Sequence, residues 1–319
     1  MYNYNLDFGP WGTYRIFKTS ATTSKTEILA TISGRGTHAA YLHSFFLTED
    51  YVILCVWPSH LKGSGASILW ERNILDAIKF DPTAETKWYV VDRKGGRGHV
   101  ATFKSPAFFS FHTANAFQEE DADGKTTSIL CDIIQFPDDS ILRKLFYENL
   151  LSTGTGSAKG QLDPPTLVRY KLPGIPKHDS KGQQGQGGSA AEVVTKIPGA
   201  GDLPTFNPLH ATKPQRYVYG VVDRGYSSFM DGISKADLET KEVVFWGKEP
   251  KPHTPGEAIF VPDGTNESED AGYLLSVVLD GEKGTSYLLC LNARDMTEVA
   301  RAECDHPIGI GFHGGHYKA

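Results

Sequence analysis

Three apolar runs near the C-terminus, residues 273–279, 286–291 and 297–302, constrain this chain more than any other feature. Each has strand length, and Asp280-Gly281 and Asn292-Ala293-Arg294-Asp295 supply the turns between them. Runs rich in Val, Leu, Tyr and Thr, bounded by Gly, Asn and Asp, pair as antiparallel neighbours: the run offers a pleated apolar face and the turn residues tolerate the reversal. Together they make most of a four-stranded propeller blade. The same grammar recurs upstream. Residues 12–17 and 26–32 read as a hairpin about a turn at 20–25, residues 88–92 and 99–103 as a second about Gly95-Gly96-Arg97-Gly98, and residues 127–134 as a further strand. Residues 52–57, a continuous apolar run closed by Pro58, read as a strand buried on both faces.

With 33 Gly and 18 Pro to make turns, the 319-residue chain reads as a single all-β domain spanning 1–319, since barrels and propellers of this length are routinely one unit. No sequence repeat is visible between the strand groups. One helix is expected over 139–152, capped by Asp139 or Ser140, with Ile141, Leu142, Leu145, Phe146 and Leu150 on one face. At 173–201 the composition shifts to Gly, Gln, Lys, Ser and Pro. Such a stretch buries too little apolar area to order a core, and it reads as a flexible exposed loop inserted between strands.

The net charge of −6 leaves no basic face for a phosphate backbone, which excludes nucleic-acid binding as the main function. Cys55, Cys131, Cys290 and Cys304 are scattered and form no CxxC pair for zinc or redox exchange. No apolar run approaches the ~18 residues of a membrane span, and Met1 is followed by Tyr-Asn-Tyr-Asn-Leu-Asp and not by a basic then apolar leader. A cytoplasmic location is therefore expected, with peripheral membrane contact left open. Gly309 to Gly314 matches GxGxxG, but too little chain follows to head a pyrophosphate-binding helix.

The histidines divide into two kinds. His60, His99, His178, His210 and His253 lie in polar or turn-like sequence and read as solvated. His43, His112 and His313 are embedded in aromatic or glycine-rich apolar sequence, where a buried imidazole must be hydrogen-bonded or metal-bound. Taken singly, each is more often a satisfied core histidine than a ligand.

The local sequences change those odds. Tyr41-Leu42-His43-Ser44-Phe45-Phe46, Phe111-His112-Thr113-Ala114-Asn115-Ala116-Phe117 and Gly311-Phe312-His313-Gly314 resemble, in the same order, three histidine motifs of the carotenoid cleavage oxygenase family. Tyr2-Asn3-Tyr4-Asn5-Leu6, Arg216-Tyr217-Val218-Tyr219-Gly220 and Pro255-Gly256-Glu257-Ala258 look like that family too. The likeness runs from end to end and leans towards fungal carotenoid-cleaving members. It implies a seven-bladed β-propeller with Fe(II) on its axis, held by neutral histidines from different blades. Imidazole also suits zinc and copper, so the ligands alone do not choose the metal.

The resemblance makes His43, His112 and His313 metal ligands. It places Glu257 behind His313 and Asp202 behind His112, each accepting the far N–H of the ring to set its tautomer; Asp202 stands where the family has a glutamate. Its first histidine ligand lies upstream of the segment that resembles Tyr2 to Leu6. The chain is therefore expected to be a C-terminal portion of the propeller, lacking the opening blades and the fourth ligand. His38 is too near His43 to come from a separate blade.

The implied reaction is cleavage of a conjugated C=C bond of a carotenoid or apocarotenoid by O2, giving two carbonyl products. The implied partners are O2 and an apolar polyene, in a tunnel that Phe45, Phe46, Phe111 and Phe117 could line. Two alternatives stand beside it: a stilbene-cleaving dioxygenase, and an inactive truncated propeller fragment without the first iron ligand.

Overall fold

The computed structural model describes residues 1–316 apart from residues 10, 95, 123, 151–162, 178–186 and 228. Five sheets follow one another along the chain, with a two-stranded ribbon beside them. The first is β1 (Tyr2–Asp7), β2 (Thr13–Thr19) and β3 (Thr26–Ile32). The second opens with β4 (Phe46–Leu47) and β5 (Tyr51–Val56). The chain then leaves for the ribbon, β6 (Ser59–Leu61) and β7 (Ile78–Phe80), whose connection holds the single-turn helices α1 (Ile68–Glu71) and α2 (Ile74–Ala77). It returns as β8 (Thr86–Asp92) and β9 (His99–Ser105).

The third sheet is built from β10 (Thr113–Glu120), β11 (Thr126–Gln135) and β12 (Thr166–Pro176). The short β13 (Gly187–Ala190) pairs in parallel with β9 before β14 (Glu192–Pro198) completes the third sheet. Between β11 and β12 lie α3 (Ile141–Lys144) and α4 (Tyr147–Leu150). The fourth sheet is β15 (Asp202–Thr205), β16 (Tyr217–Val222), β17 (Gly232–Asp237) and β18 (Val243–Trp246). The fifth is β19 (His253–Pro255), β20 (Ile259–Pro262), β21 (Gly272–Asp280), β22 (Thr285–Asn292) and β23 (Glu298–Glu303).

The burial patterns explain why these segments are strands. Along β21, alternate residues are buried from Gly272 to Asp280, as a period of two with one covered face requires. Every residue of β5 is buried, because β4 and β8 flank it while Trp57, Trp88 and Tyr14 fill the space around it. Each fully buried aliphatic or aromatic side chain contributes about 1.5–3 kcal/mol. One apolar cluster gathers residues of the first three sheets and reaches Val218 and Ala236 of the fourth, and a smaller one, around Tyr219, Phe260, Leu274 and Leu289, unites the fourth and fifth.

Several expectations need correction. The hairpin of residues 12–17 and 26–32, which has no obvious partner before it in the sequence, does have one, since β1 pairs with β2 from Tyr2↔Lys18 to Asp7↔Thr13. The expected helix over 139–152 is two single turns. The first ends at Leu145, and Ser140 stands at its N-cap as one of the two expected residues but makes no side-chain capping bond, while Asp138 accepts the Ser140 N–H at 2.9 Å. Residues 151 and 152 lie outside the described residues. The connection with α1 and α2 was not expected at all, and it exposes Leu69, Trp70 and Ile74. No helix among the described residues is long and apolar enough to cross a membrane.

Segment 173–201 is not one loop. Its described parts include the end of β12, β13 and β14. As the edge strand of its sheet, β14 buries only Thr195 and Ile197. An edge strand needs just one packed face, which is why its composition looks loop-like. Residues 178–186 lie outside the described residues.

Candidate metal centre

The first strand of a sheet repeatedly delivers a polar residue to one place. His43 precedes β4, His112 precedes β10, Asp202 opens β15, and Glu257 lies between β19 and β20. Two backbones are tied together here. Ser44 Oγ donates to Phe111 O at 2.8 Å and accepts the Thr113 N–H at 2.9 Å, while Thr113 Oγ1 donates to Phe45 O at 3.2 Å. That lacing sets the rings of His43 and His112 5.0 Å apart, centroid to centroid.

His313 arrives differently, on the segment that follows β23. This tail runs back over the fifth sheet, where the Cys304 N–H donates to Ser286 O and the Ser286 N–H donates to His306 O. Further on, the Glu257 N–H donates to Gly311 O at 3.0 Å and the Gly314 N–H to Glu257 Oε2 at 2.9 Å. His313 then stands 5.2 Å from His112 and 5.7 Å from His43 between ring centroids.

The three histidines form a set whose nitrogens lie within 4.8 Å of one another. His43 Nε2 and His313 Nε2 are 3.4 Å apart, and His112 Nε2 is buried with no hydrogen-bond partner. Each Nδ1 is engaged from behind: His112 by Asp202 Oδ1 at 2.8 Å, His313 by Glu257 Oε1 at 3.3 Å and His43 by the Tyr41 hydroxyl at 3.3 Å. A carboxylate behind a ring holds the proton on Nδ1 and leaves Nε2 as a lone-pair donor. His43 keeps access to solvent, but the partial burial of its ring pushes its pKa down, and the neighbouring His112 and His313 add to the shift. Both effects favour the neutral ring, the form that a ligand needs. A buried nitrogen without a partner costs about 1–3 kcal/mol, and a cation among the three nitrogens removes that cost.

Asp202 reaches His112 despite its short side chain because its backbone comes close. Gly201 adopts φ +84°, and a Cβ there would sit 2.4 Å from Val221 O. Gly256 is the second required glycine, since its Cβ would lie 2.7 Å from Gly311 O. The glycine nearest His313 in sequence, Gly314, would meet only Ile259 Cδ1 at 2.9 Å, and Gly311 has open space. A Gly256→Ala variant is therefore expected to push the tail off the sheet. Residues 311–316 are exposed, so the unfolding free energy should change by less than about 1 kcal/mol, while metal affinity falls about 10- to 100-fold. A metal titration beside a urea melt checks both; unchanged affinity would show that the tail does not depend on this contact.

A cavity of about 250 Å³ opens onto the three histidines. Of the four phenylalanines expected to line it, Phe111 does. Phe46 stacks on Trp88 in the core at 6.1 Å, Phe117 lies under the Arg169 guanidinium at 5.1 Å, and Phe45 makes an edge contact with Tyr4 at 6.2 Å. Phe117 is too far along β10, since five residues of strand span about 16 Å. Tyr41, Phe136, Phe229 and Phe312 line the wall instead. Phe312, next to His313, and Tyr41, two residues before His43, belong to the histidine motifs of the sequence; Phe136 and Phe229 are brought in from unrelated segments.

The remaining histidines are placed elsewhere. His38 packs on His60 at 4.9 Å and faces Trp11. His60, His210 and His253 are half-buried, not solvated, and His253 lies 3.0 Å from the Tyr287 hydroxyl; His178 lies outside the described residues. A second possible ligand set, Cys304, Asp305 and His306, is three consecutive residues of the tail.

Comparison with known proteins gives a consistent result. The family model described as retinal pigment epithelial membrane protein, RPE65, matches residues 1–318. A carotenoid dioxygenase of Neurospora crassa is 44% identical over 335 residues, covering 99% of this chain and 53% of that protein. A torulene dioxygenase of Fusarium fujikuroi is 42% identical over 334 residues, covering 100% of this chain and 57% of that protein. The chain thus spans about half the length of the relatives it matches. Among solved structures, a variant of the Synechocystis apocarotenoid oxygenase superposes with a TM-score of 0.72 at 22% identity, over 98% of this chain and 60% of that one. The cobalt-substituted form of that oxygenase gives 0.69 at 21%, over 97% and 60%.

Proposed function

The chain belongs to the RPE65 family of carotenoid oxygenases, and on that premise we propose that it carries three ligands of a non-haem Fe(II) centre in a dioxygenase that splits a conjugated C=C bond. The substrate is a carotenoid or apocarotenoid, the oxidant is O2, and the products are two carbonyl compounds. The observation that carries the reading is the buried, unpartnered His112 Nε2, turned towards the nitrogens of His43 and His313 at the end of an apolar cavity. The succession of strand meanders supports the further reading that these sheets are blades of a seven-bladed propeller, with the histidines at its axis.

The donor set fits the metal. Three imidazole nitrogens suit iron, and the choice of iron over zinc or copper rests on the family. Iron bound there supplies the one-electron chemistry that lets O2 react with a closed-shell alkene. This chain's own residues do the rest. Asp202 and Glu257 hold the Nδ1 protons of His112 and His313 and so keep Nε2 aimed inward. Tyr41, Phe111, Phe136 and Leu203 exclude water and give the polyene an apolar bed. The faces of Tyr41 and Phe111 favour positive charge developing along the conjugated chain.

The purified protein is expected to hold near-stoichiometric iron and, incubated with a carotenoid or an apocarotenal under 18O-labelled O2, to release aldehydes carrying the label. Trace iron after reconstitution, together with no cleavage of either polyene, would reject the proposal.

A further inference from the structure

Away from the histidines and Asp202, the cavity wall is apolar but for the exposed Asp163 and one charged pair, Lys144 of α3 in contact with Asp223, the residue after β16. Lys144 is the one cation among the described lining residues, histidines aside. Asp223 is doubly engaged: Oδ2 takes the lysine and Oδ1 accepts the Gly225 N–H at 3.1 Å. The lysine is not. Among the described residues its ammonium makes this single bond, and an ammonium has three N–H donors. The two side chains are 30% and 28% exposed, so the pair is largely withdrawn from solvent while facing the space that a ligand would fill.

We propose that Lys144 is a specificity-determining residue that receives the oxygenated end of a polyene, donating an N–H to its carbonyl oxygen while Asp223 anchors the ammonium from behind. The proposal rests on the polyene-cleaving reading and deepens it: the preferred substrate is a carbonyl-ended polyene and not a hydrocarbon of the same length. A pair that served only to tether α3 to the fourth sheet gains nothing from lying on an apolar wall, where desolvation works against it. A ligand oxygen arriving there meets a charged donor in a site of low polarity, where such a bond is strongest.

The test uses binding, so that it does not depend on turnover. Zinc-loaded protein is titrated with a polyene aldehyde and with a hydrocarbon polyene of equal length, for the wild type and for Lys144→Met and Lys144→Arg. The wild type is expected to bind the aldehyde about 10- to 100-fold more tightly than the hydrocarbon, the range of a hydrogen bond to a charged group. Its bound aldehyde should absorb to the red of the free form, because a cation at the oxygen draws charge along the conjugated chain. Lys144→Met should lose both the preference and the red shift while keeping hydrocarbon affinity, and Lys144→Arg should retain the shift. Equal loss of both ligands in Lys144→Met would reduce Lys144 to a tether and overturn the proposal, as would an unshifted aldehyde in the wild type. If the wild type shows the preference and the shift but iron-loaded protein cleaves neither polyene, the dioxygenase reading fails and the carbonyl subsite stands. If both polyenes are cleaved without preference, the subsite fails and the dioxygenase reading stands.

Discussion

A His112→Ala variant is expected to lose its metal and part of its stability together. The ring offers Nε2 to the centre and Nδ1 to Asp202, whose side chain is only 8% exposed. Loss of a group merely standing behind a ligand weakens metal binding about 10- to 100-fold, so loss of the ligand itself should exceed that and leave trace iron after dialysis. The vacated space also strands the Asp202 carboxylate, at a cost of about 1–3 kcal/mol in a urea melt. His43→Ala is the contrast. Its ring is exposed, and the Tyr41 hydroxyl behind it can turn to water, so iron should fall while stability holds. A His112→Ala protein with full iron content would remove this residue from the ligand set.

The largest purely structural effect is expected from Arg169→Met. Arg169 on β12 lies in register with Asp132 on β11 and binds it twice, Nε to Oδ1 at 2.7 Å and Nη2 to Oδ2 at 2.8 Å. Gln215 donates a third bond to Asp132 at 3.0 Å, and the guanidinium covers the Phe117 ring. The Asp132 side chain is wholly buried, so removing the arginine leaves a charge with neither solvent nor counter-ion. Breaking such a pair costs about 3–5 kcal/mol, read from the shift in the urea midpoint. Removing both charges, with Asp132→Leu beside Arg169→Met, should recover most of the loss, since a buried ion pair is often no more stabilising than apolar groups of its volume. A double variant as unstable as the single one would mean that the cost lies in the packing and not in the charge.

These two cases mark where a linear reading stops. The strands at 12–17, 26–32, 52–57 and within 273–302 could be read off the chain because strand-length apolar runs and the turn residues that bound them are set by neighbouring residues. So could the three histidines, each flagged by the apolar company it keeps within a few positions. The helix over 139–152 went wrong because a short helix takes its stability from the surface it packs on. Here Ile141 and Leu145 line the cavity while Leu142 enters the core. The strands within 173–201 were missed for the opposite reason: an edge strand needs little apolar sequence when its neighbour supplies the hydrogen-bond ladder.

By itself, then, the sequence determined that this chain is a series of short antiparallel strands, and it marked His43, His112, His313, Asp202 and Glu257 through local context and resemblance. Only the tertiary structure decided that Tyr41 stands behind His43, that Asp202 is near enough to hold His112, that Gly256 is where the returning tail must pass, and that Phe46 and Phe117 belong to the core while Phe136 and Phe229 face the cavity. The reason is the same in each case. Periodicity and turn chemistry act between residues a few positions apart, whereas these contacts join residues brought together by register and sheet packing, and a shift of one residue in register turns every side chain of a strand to the other face.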